Sequence, residues 1–444
     1  MHTKFRMFFR WFTMLETTPV EYPMITDLHD HQLEATYARF VELLGGKPWL
    51  KVTQDHQFQF TANPLSEVQI TREYSVAYGL ASFDQKGMAL QGSSEWSTAL
   101  HGLTFAAQAC QLAENDFDER SRRSFIGRVR GAFSNPDDMR ALRFEMLTAL
   151  SLYKQGARIH WPESTEGPEI FDILATTKDG LEVEVECKSI SADKGRPIKE
   201  RDAGELFNRL LRKLPVTHKA GELLLVKIQI PEKLSKSHAE LDRLASGIAD
   251  AFKASRSEAS ENIFINQKVV EAPFLFDPKS DDYIRFAIGE LADRASGPAE
   301  GHRAIAYSSG SKTGLCIEIT STQASQVLEA MRQTANRAVR KQMTGTRPGC
   351  LVLRMEGLSR ESLIQLASED PNPLAFFATE ILKDPRHQHL ACIAFVSDSD
   401  LIPISETTQT EQSVSYVFDQ QVGPLAGLGL GAVFRGVAVS ERQR

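Results

Sequence analysis

The sequence predicts an α/β protein with a mixed β-sheet core flanked by helices. Three observations carry that class. A helix with clear start signals at Asn135-Pro-Asp-Asp is followed by three short strand-like segments. Lys178-Asp179-Gly180 joins the second and third of these as a hairpin. A helix and a strongly apolar strand come next, so the order is helix, three strands, helix, strand, the pattern of a layered α/β sandwich.

Thr26 or Asp27 is expected to cap a helix that runs to Leu44 and ends at Gly45-Gly46. Short alternating stretches follow at Glu67-Val-Gln-Ile-Thr and Tyr74-Ser-Val-Ala-Tyr, with helices near Ser94–Glu114 and Asp118–Phe133. At Asn135 the cap, the proline at the first helical position and two acids in the first turn all favour helix initiation. That helix should reach about Gln155, where Gly156 ends it. Strands are expected at Ala157–Trp161, Glu169–Thr176 and Leu181–Ile190, a helix at Ala203–Leu214 and a strand at Glu222–Ile230. Ala254–Glu261 reads as a flexible link. Beyond it lie expected helices at Gln323–Gln342, Glu361–Leu366 and Leu374–Leu382, after one at Ser237–Lys253. Expected strands there are Leu315–Ile319, Cys350–Met355, Ala391–Val396 and Val414–Phe418.

The chain has 444 residues, 42% apolar and 25% charged, close to ordinary globular composition. Gly 28 and Pro 19 exclude collagen-like and broadly disordered classes. A formal charge of −7 argues against coating nucleic acid through bulk positive charge, so a polyanion must be met by local basic patches. No apolar run approaches the length of a membrane span. Residues 1–15 mix Lys4, Arg6 and Arg10 with aromatics and lack the form of a signal peptide. The five cysteines, Cys110, Cys187, Cys316, Cys350 and Cys392, show no CxxC pair, so disulfides and a Cys-rich zinc site are not expected and a reducing cytoplasm fits.

Chemistry concentrates in FDILATTKDGLEVEVECKSI. In its second strand Glu182, Glu184, Glu186 and Lys188 share one face, and Val183, Val185 and Cys187 share the other. Phe171 and Ile173 should pack with the apolar set, which brings Asp172, Glu186 and Lys188 together on the opposite face. Two carboxylates at one point repel, and a divalent cation resolves the repulsion. Such an ion polarises a phosphoryl oxygen and lowers the pKa of a bound water, while a nearby lysine offsets developing charge. Asp84-Gln-Lys86 and Asp277-Pro-Lys279 match the same short pattern but read as turns. Only Glu186-Cys-Lys188 sits inside a clean strand.

These residues resemble the PD-(D/E)xK nuclease superfamily over roughly Asp137–Ile230. The resemblance implies a restriction-endonuclease-like core with N- and C-terminal α/β additions. It implies a catalytic set of Asp172, Glu186 and Lys188, with Glu145 as the acid on the preceding helix. It also implies Mg²⁺, with Mn²⁺ as a substitute, bound by Asp172, Glu186 and the Cys187 backbone carbonyl. Phe171 stands where the family pattern often has proline, although Pro168 is close by. Glu145 falls beside Leu142, Ala149 and Leu152, facing the protein body, whereas Arg140, Arg143, Ser151 and Lys154 define the helix's polar side. A carboxylate there needs a partner, either the metal site or an arginine on another element. The Cys187 thiol, by its phase, belongs to the core.

Three basic clusters could meet phosphates: Arg120, Arg122, Arg123, Arg128 and Arg130; Lys194, Arg196, Lys199 and Arg201; and Arg332, Arg337, Arg340, Lys341 and Arg347. The second directly follows the motif strand and is the preferred nucleic-acid contact. His29-Asp-His31, Ser309–Gly314 and Gly427–Gly431 lack the third ligand, register or following helix that would make them sites. The expected organisation is an α/β region at 1–134, a nuclease core at 135–235 and an α/β region at 236–444. The expected activity is metal-dependent hydrolysis of nucleic acid, with DNA the favoured substrate, by a cytoplasmic protein without membrane association that could pair with itself or another protein. The rival expectation is a catalytically idle nuclease-like fold that binds nucleic acid or protein.

Overall fold

A computed structural model describes residues 20–21, 27–115, 119–162, 170–191, 193–214, 219–260, 262–276 and 281–431. The basic-aromatic stretch at 1–15, Thr26 and the Asp277-Pro-Lys279 turn lie outside them. The described residues form a mixed α/β protein with thirteen α-helices and three sheets. No helix among them is long and apolar enough to cross a membrane. The chain divides into two compact units, one of Met1–Thr53, Tyr74–Ala192 and Glu329–Arg444, the other of Gln54–Glu73 and Asp193–Leu328.

The first unit is built on a seven-stranded mixed sheet. The motif strand Glu182–Ile190 pairs antiparallel with Ile173–Thr176, which pairs with Arg158–His160. On its other side it pairs in parallel with Gly349–Met355, followed in parallel by Leu390–Val396 and antiparallel by Val414–Asp419. Its flanks therefore come from distant parts of the chain. The helix Pro136–Lys154 starts as the sequence predicts: Asn135 accepts from the Asp137 N–H at 3.0 Å. Gly156 then takes φ +85°, where a side chain is strained. Val183, Val185 and Cys187 join Ile173, Ala175 and this helix in one apolar core, as their alternation predicts.

That core helix corrects one expectation. Ser151 was assigned to a polar side, yet it is buried, as is almost every residue from Leu142 to Leu152 apart from Arg143. The helix lies between the sheet and helices Trp96–Asn115 and Glu119–Ala132, so it is covered nearly all round. Two further expectations fail nearby. The alternating stretches at Glu67 and Tyr74 are helical, in Glu67–Glu73 and Ser75–Lys86, because a few alternating residues also fit one helical turn. Asp27 lies in a short strand, Asp27–His29, and the helix behind it starts only at Leu33.

The second unit carries a five-stranded sheet in the order Glu258–Ser260, Ile263–Glu271, Glu222–Ile230, Thr313–Ser321, His302–Ser308. Helices Glu200–Lys213 and His238–Lys253 pack on one face and Asp281–Ser296 on the other. The division at 235 is thus not the one observed. The helix and strand expected to complete the nuclease core belong to this second unit, where Glu222–Ile230 pairs with Thr313–Ser321 and Ile263–Glu271. Residues 329–431 return to the first unit. The expected link at Ala254–Glu261 contains an edge strand, Glu258–Ser260.

Candidate active site at the motif strand

Asp172 sits one residue before the strand Ile173–Thr176, next to the register pair Ile173 and Val185. Its Oδ2 accepts the Cys187 N–H at 2.7 Å, which fixes the carboxylate against the motif strand. In an extended strand the N–H and C=O of one residue point to the same side. The Glu184 N–H, three residues before Cys187 and so in the opposite phase, bonds instead to Pro348 O at 2.9 Å on the other flank. The Cys187 carbonyl therefore looks toward Asp172.

Glu186 and Lys188 project from the face opposite Cys187. Glu186 is fully buried, Asp172 is 4% exposed and Lys188 is half-buried. The Lys188 ammonium contacts Glu186 Oε1 and lies 3.9 Å from Asp172 Oδ2. Neither Glu186 oxygen accepts a hydrogen bond of good geometry, although both are out of water. Burial raises the Glu186 pKa most, the Asp172 charge raises it further, and Lys188 only partly offsets them. For Lys188, burial works downward but the Asp172 and Glu186 charges outweigh it, so its pKa is raised. The three expected catalytic residues are thus brought to one place.

Glu145 arrives from the core helix, buried as expected, and its carboxylate pairs with Arg128 at 2.7 Å. Of its two expected partners, the arginine is the one present, and the Glu145 charge reaches Glu186 as a minor upward influence. The Arg128–Glu145 pair also removes Arg128 from the free phosphate contacts, as does the bond from Arg130 to Leu44 O.

The remaining acids of the motif face are met by residues just before the neighbouring strand Gly349–Met355. Glu184 is fully buried and accepts from the Thr344 N–H at 2.8 Å and from the Thr344 hydroxyl. Arg347 bonds Glu182 at 2.9 Å and approaches Glu184 at 3.5 Å. Arg347 therefore serves the acidic ladder and is withdrawn from the third basic cluster. Arg332 in that cluster pairs with Glu329 at 2.8 Å, while Arg337, Arg340 and Lys341 are exposed. Sequence reasoning missed Thr344, whose only signal was its nearness to a strand that later pairs with the motif.

Lys194, Arg196, Lys199 and Arg201 are exposed and belong to the second unit. Their loop is firmly held. Asp193 accepts the Glu200 N–H at 2.7 Å, and Gly195, at φ +82°, lies so near Gln326 O that an added Cβ would stand 2.5 Å away. Its side chains are thus displayed on a fixed backbone.

Among the described residues, no three His, Cys, Asp or Glu side chains form a ready metal cage. Two carboxylates and a carbonyl are a sparser set, the kind a hydrated Mg²⁺ accepts. The buried Glu186 Oε2, which accepts no hydrogen bond, fits such an ion, since a hard oxygen donor left unpaired in low dielectric gains most from a divalent charge. The Cys187 thiol is buried in the core, and burial first, then the Asp172 charge, pushes its pKa well up. Cys187→Ala is therefore expected to keep most activity and to cost about 1 kcal/mol of stability for the small void. Rapid labelling of native protein by a thiol reagent at Cys187, with loss of activity, would contradict that.

No protein-family model, curated protein or solved structure matches the chain.

Proposed function

We propose that this chain is a divalent-cation-dependent nuclease of the PD-(D/E)xK type, acting on nucleic acid and preferentially DNA, with the restriction-endonuclease-like core held in the first unit. The observation that carries the reading is the convergence of Asp172, Glu186 and Lys188 at one end of the motif strand, with Asp172 aligned by the Cys187 N–H. Asp172, Glu186 and the Cys187 carbonyl would hold Mg²⁺, or Mn²⁺ in its place. When bound, the ion supplies Lewis-acid polarisation of the phosphate and a more acidic water. Lys188 orients the attacking water and offsets charge that develops on the phosphate. Glu145, fixed by Arg128, sets the field in which Glu186 ionises.

Incubation of the protein with plasmid, linear DNA and RNA, with and without Mg²⁺ or Mn²⁺, tests the reading. Metal-dependent cleavage that is lost in Lys188→Ala is the expected result. Five buried cysteines without disulfides accord with a reducing compartment such as the cytoplasm. The rival, an idle scaffold, draws on the closed Lys188–Glu186 and Arg128–Glu145 pairs. It predicts binding of nucleic acid or of a protein partner, without cleavage in either metal.

We assign Lys194, Arg196, Lys199 and Arg201 to the nucleic-acid backbone. Phosphate contacts release counterions, so binding should fall steeply with salt, and each lost contact should lower the slope by about one. Arg196→Ala with Arg201→Ala should weaken binding to different sequences equally, because phosphates carry no sequence information. An unchanged salt slope in the double variant, measured without metal, returns these residues to the solvated surface.

A further inference from the structure

On the opposite face of the main sheet, at the same end of the motif strand, lies a pair of arginines that the nuclease reading does not use. Arg354 comes from Gly349–Met355, the strand beside the motif strand, and its register partner is Ser189. It is 7% exposed, and its guanidinium lies 4.6 Å from the centre of the Phe144 ring. It donates to the Ser189 hydroxyl at 3.2 Å and to Arg140 O at 3.2 Å, both neutral acceptors. Among the described residues it has no ion pair.

Arg143, one turn beyond Arg140 on the core helix, is half-buried, and its side chain makes no hydrogen bond or ion pair with the described residues. The two guanidinium charges act on each other: burial first and then Arg143 bring the Arg354 pKa down to about 10. His101 stands in the same group, its pKa lowered by burial and then by Arg143.

The acids nearby take their hydrogen bonds elsewhere, although the Asp398 and Glu411 charges still raise the Arg354 pKa against burial and Arg143. Glu356 takes Arg140. Asp398 accepts the Gly357 N–H at 2.6 Å, and Glu411 accepts from Gln108 and Ser399, each at 2.5 Å. A buried arginine beside a half-buried one, with no carboxylate within ion-pair distance of either among the described residues, is costly unless an anion completes the pair. The planar fork of arginine matches a tetrahedral oxyanion. The location agrees with this, since ligands of open α/β sheets gather beyond the carboxyl ends of parallel strands, and three such strands end here.

We infer that Arg143 and Arg354 form an oxyanion pocket that takes a phosphate group, with His101 at its side. The phosphate belongs either to a nucleic-acid backbone or to a small phosphorylated molecule.

The test uses the full chain without metal, in the Lys188→Ala background, with three probes: inorganic phosphate, a 5′-mononucleotide and a single-stranded oligonucleotide. Thermal melting is read against chloride at matched ionic strength, and affinity is read by calorimetry. Millimolar phosphate should raise the melting temperature beyond chloride, and Arg143→Gln should weaken phosphate binding at least tenfold. Arg354→Lys, which keeps charge but loses the fork, should weaken it as well. Lys383→Gln, at an exposed helix end outside the three basic clusters, should leave it unchanged.

An Arg143-dependent gain for the oligonucleotide well above that for the mononucleotide assigns the pocket to nucleic acid. Equal gains for the two small probes, with none for the oligonucleotide, assign it to a phosphorylated small molecule. Phosphate that acts no differently from chloride, or an Arg143→Gln protein that binds as tightly as its parent, overturns the pocket. Because no probe is cleaved, a failed nuclease assay leaves this outcome unaffected.

Discussion

Lys188→Ala should lower metal-dependent cleavage by on the order of a hundred- to thousandfold, the usual cost of removing a charge positioned at a reacting group. The side chain contacts Glu186 and stands 3.9 Å from Asp172, which puts its charge where the reacting phosphate would lie. The same contact sets the stability cost. Removing Lys188 takes from the buried Glu186, which already holds its proton at neutral pH, the one polar group in contact with it among the described residues, at a cost of about 1–3 kcal/mol. That exceeds the small loss expected of a lysine on an exposed strand face. Lys188→Met, which keeps the aliphatic stem, should recover part of the stability and none of the cleavage. Cleavage rates measured beside thermal melts separate the two effects. A folded Lys188→Ala protein with the parent rate would refute the assignment.

Glu186→Gln should act in the opposite sense on the metal-free protein, raising its stability by about 1–2 kcal/mol at neutral pH while abolishing cleavage. Burial first, then the Asp172 charge, lifts the Glu186 pKa from 4.5 to about 9. The folded state therefore holds this proton more tightly than the unfolded state. The stability it contributes is fully present below the unfolded value and is lost as pH rises toward the folded one. Metal-free parent protein should lose stability across that window, and Glu186→Gln should lose less. Divalent cation should reverse the trend in the parent by compensating the ionised carboxylate, so Mg²⁺ or Mn²⁺ should raise its melting temperature more at pH 8 than at pH 6. Glu186→Gln should show little of that metal-dependent rise. Equal shifts in both proteins would remove Glu186 from the metal site.

The sequence by itself determined most helices and strands and the chemistry of the motif strand. The Asn135 cap, the Gly156 stop and the alternation of Glu186 and Lys188 against Val185 and Cys187 are properties of consecutive residues, and the structure keeps each of them. The tertiary structure decided which segments meet. The motif strand takes Gly349–Met355 as its parallel neighbour, and Glu222–Ile230, much closer in sequence, goes to another sheet. It also gave Arg128 to Glu145, Thr344 and Arg347 to Glu184, and left Arg354 buried in an otherwise apolar strand. Backbone propensity and side-chain phase act over a few residues. Pairing between distant strands depends on how whole faces bury, and because loop-closure cost grows only logarithmically with length, nearness in sequence gives it little preference.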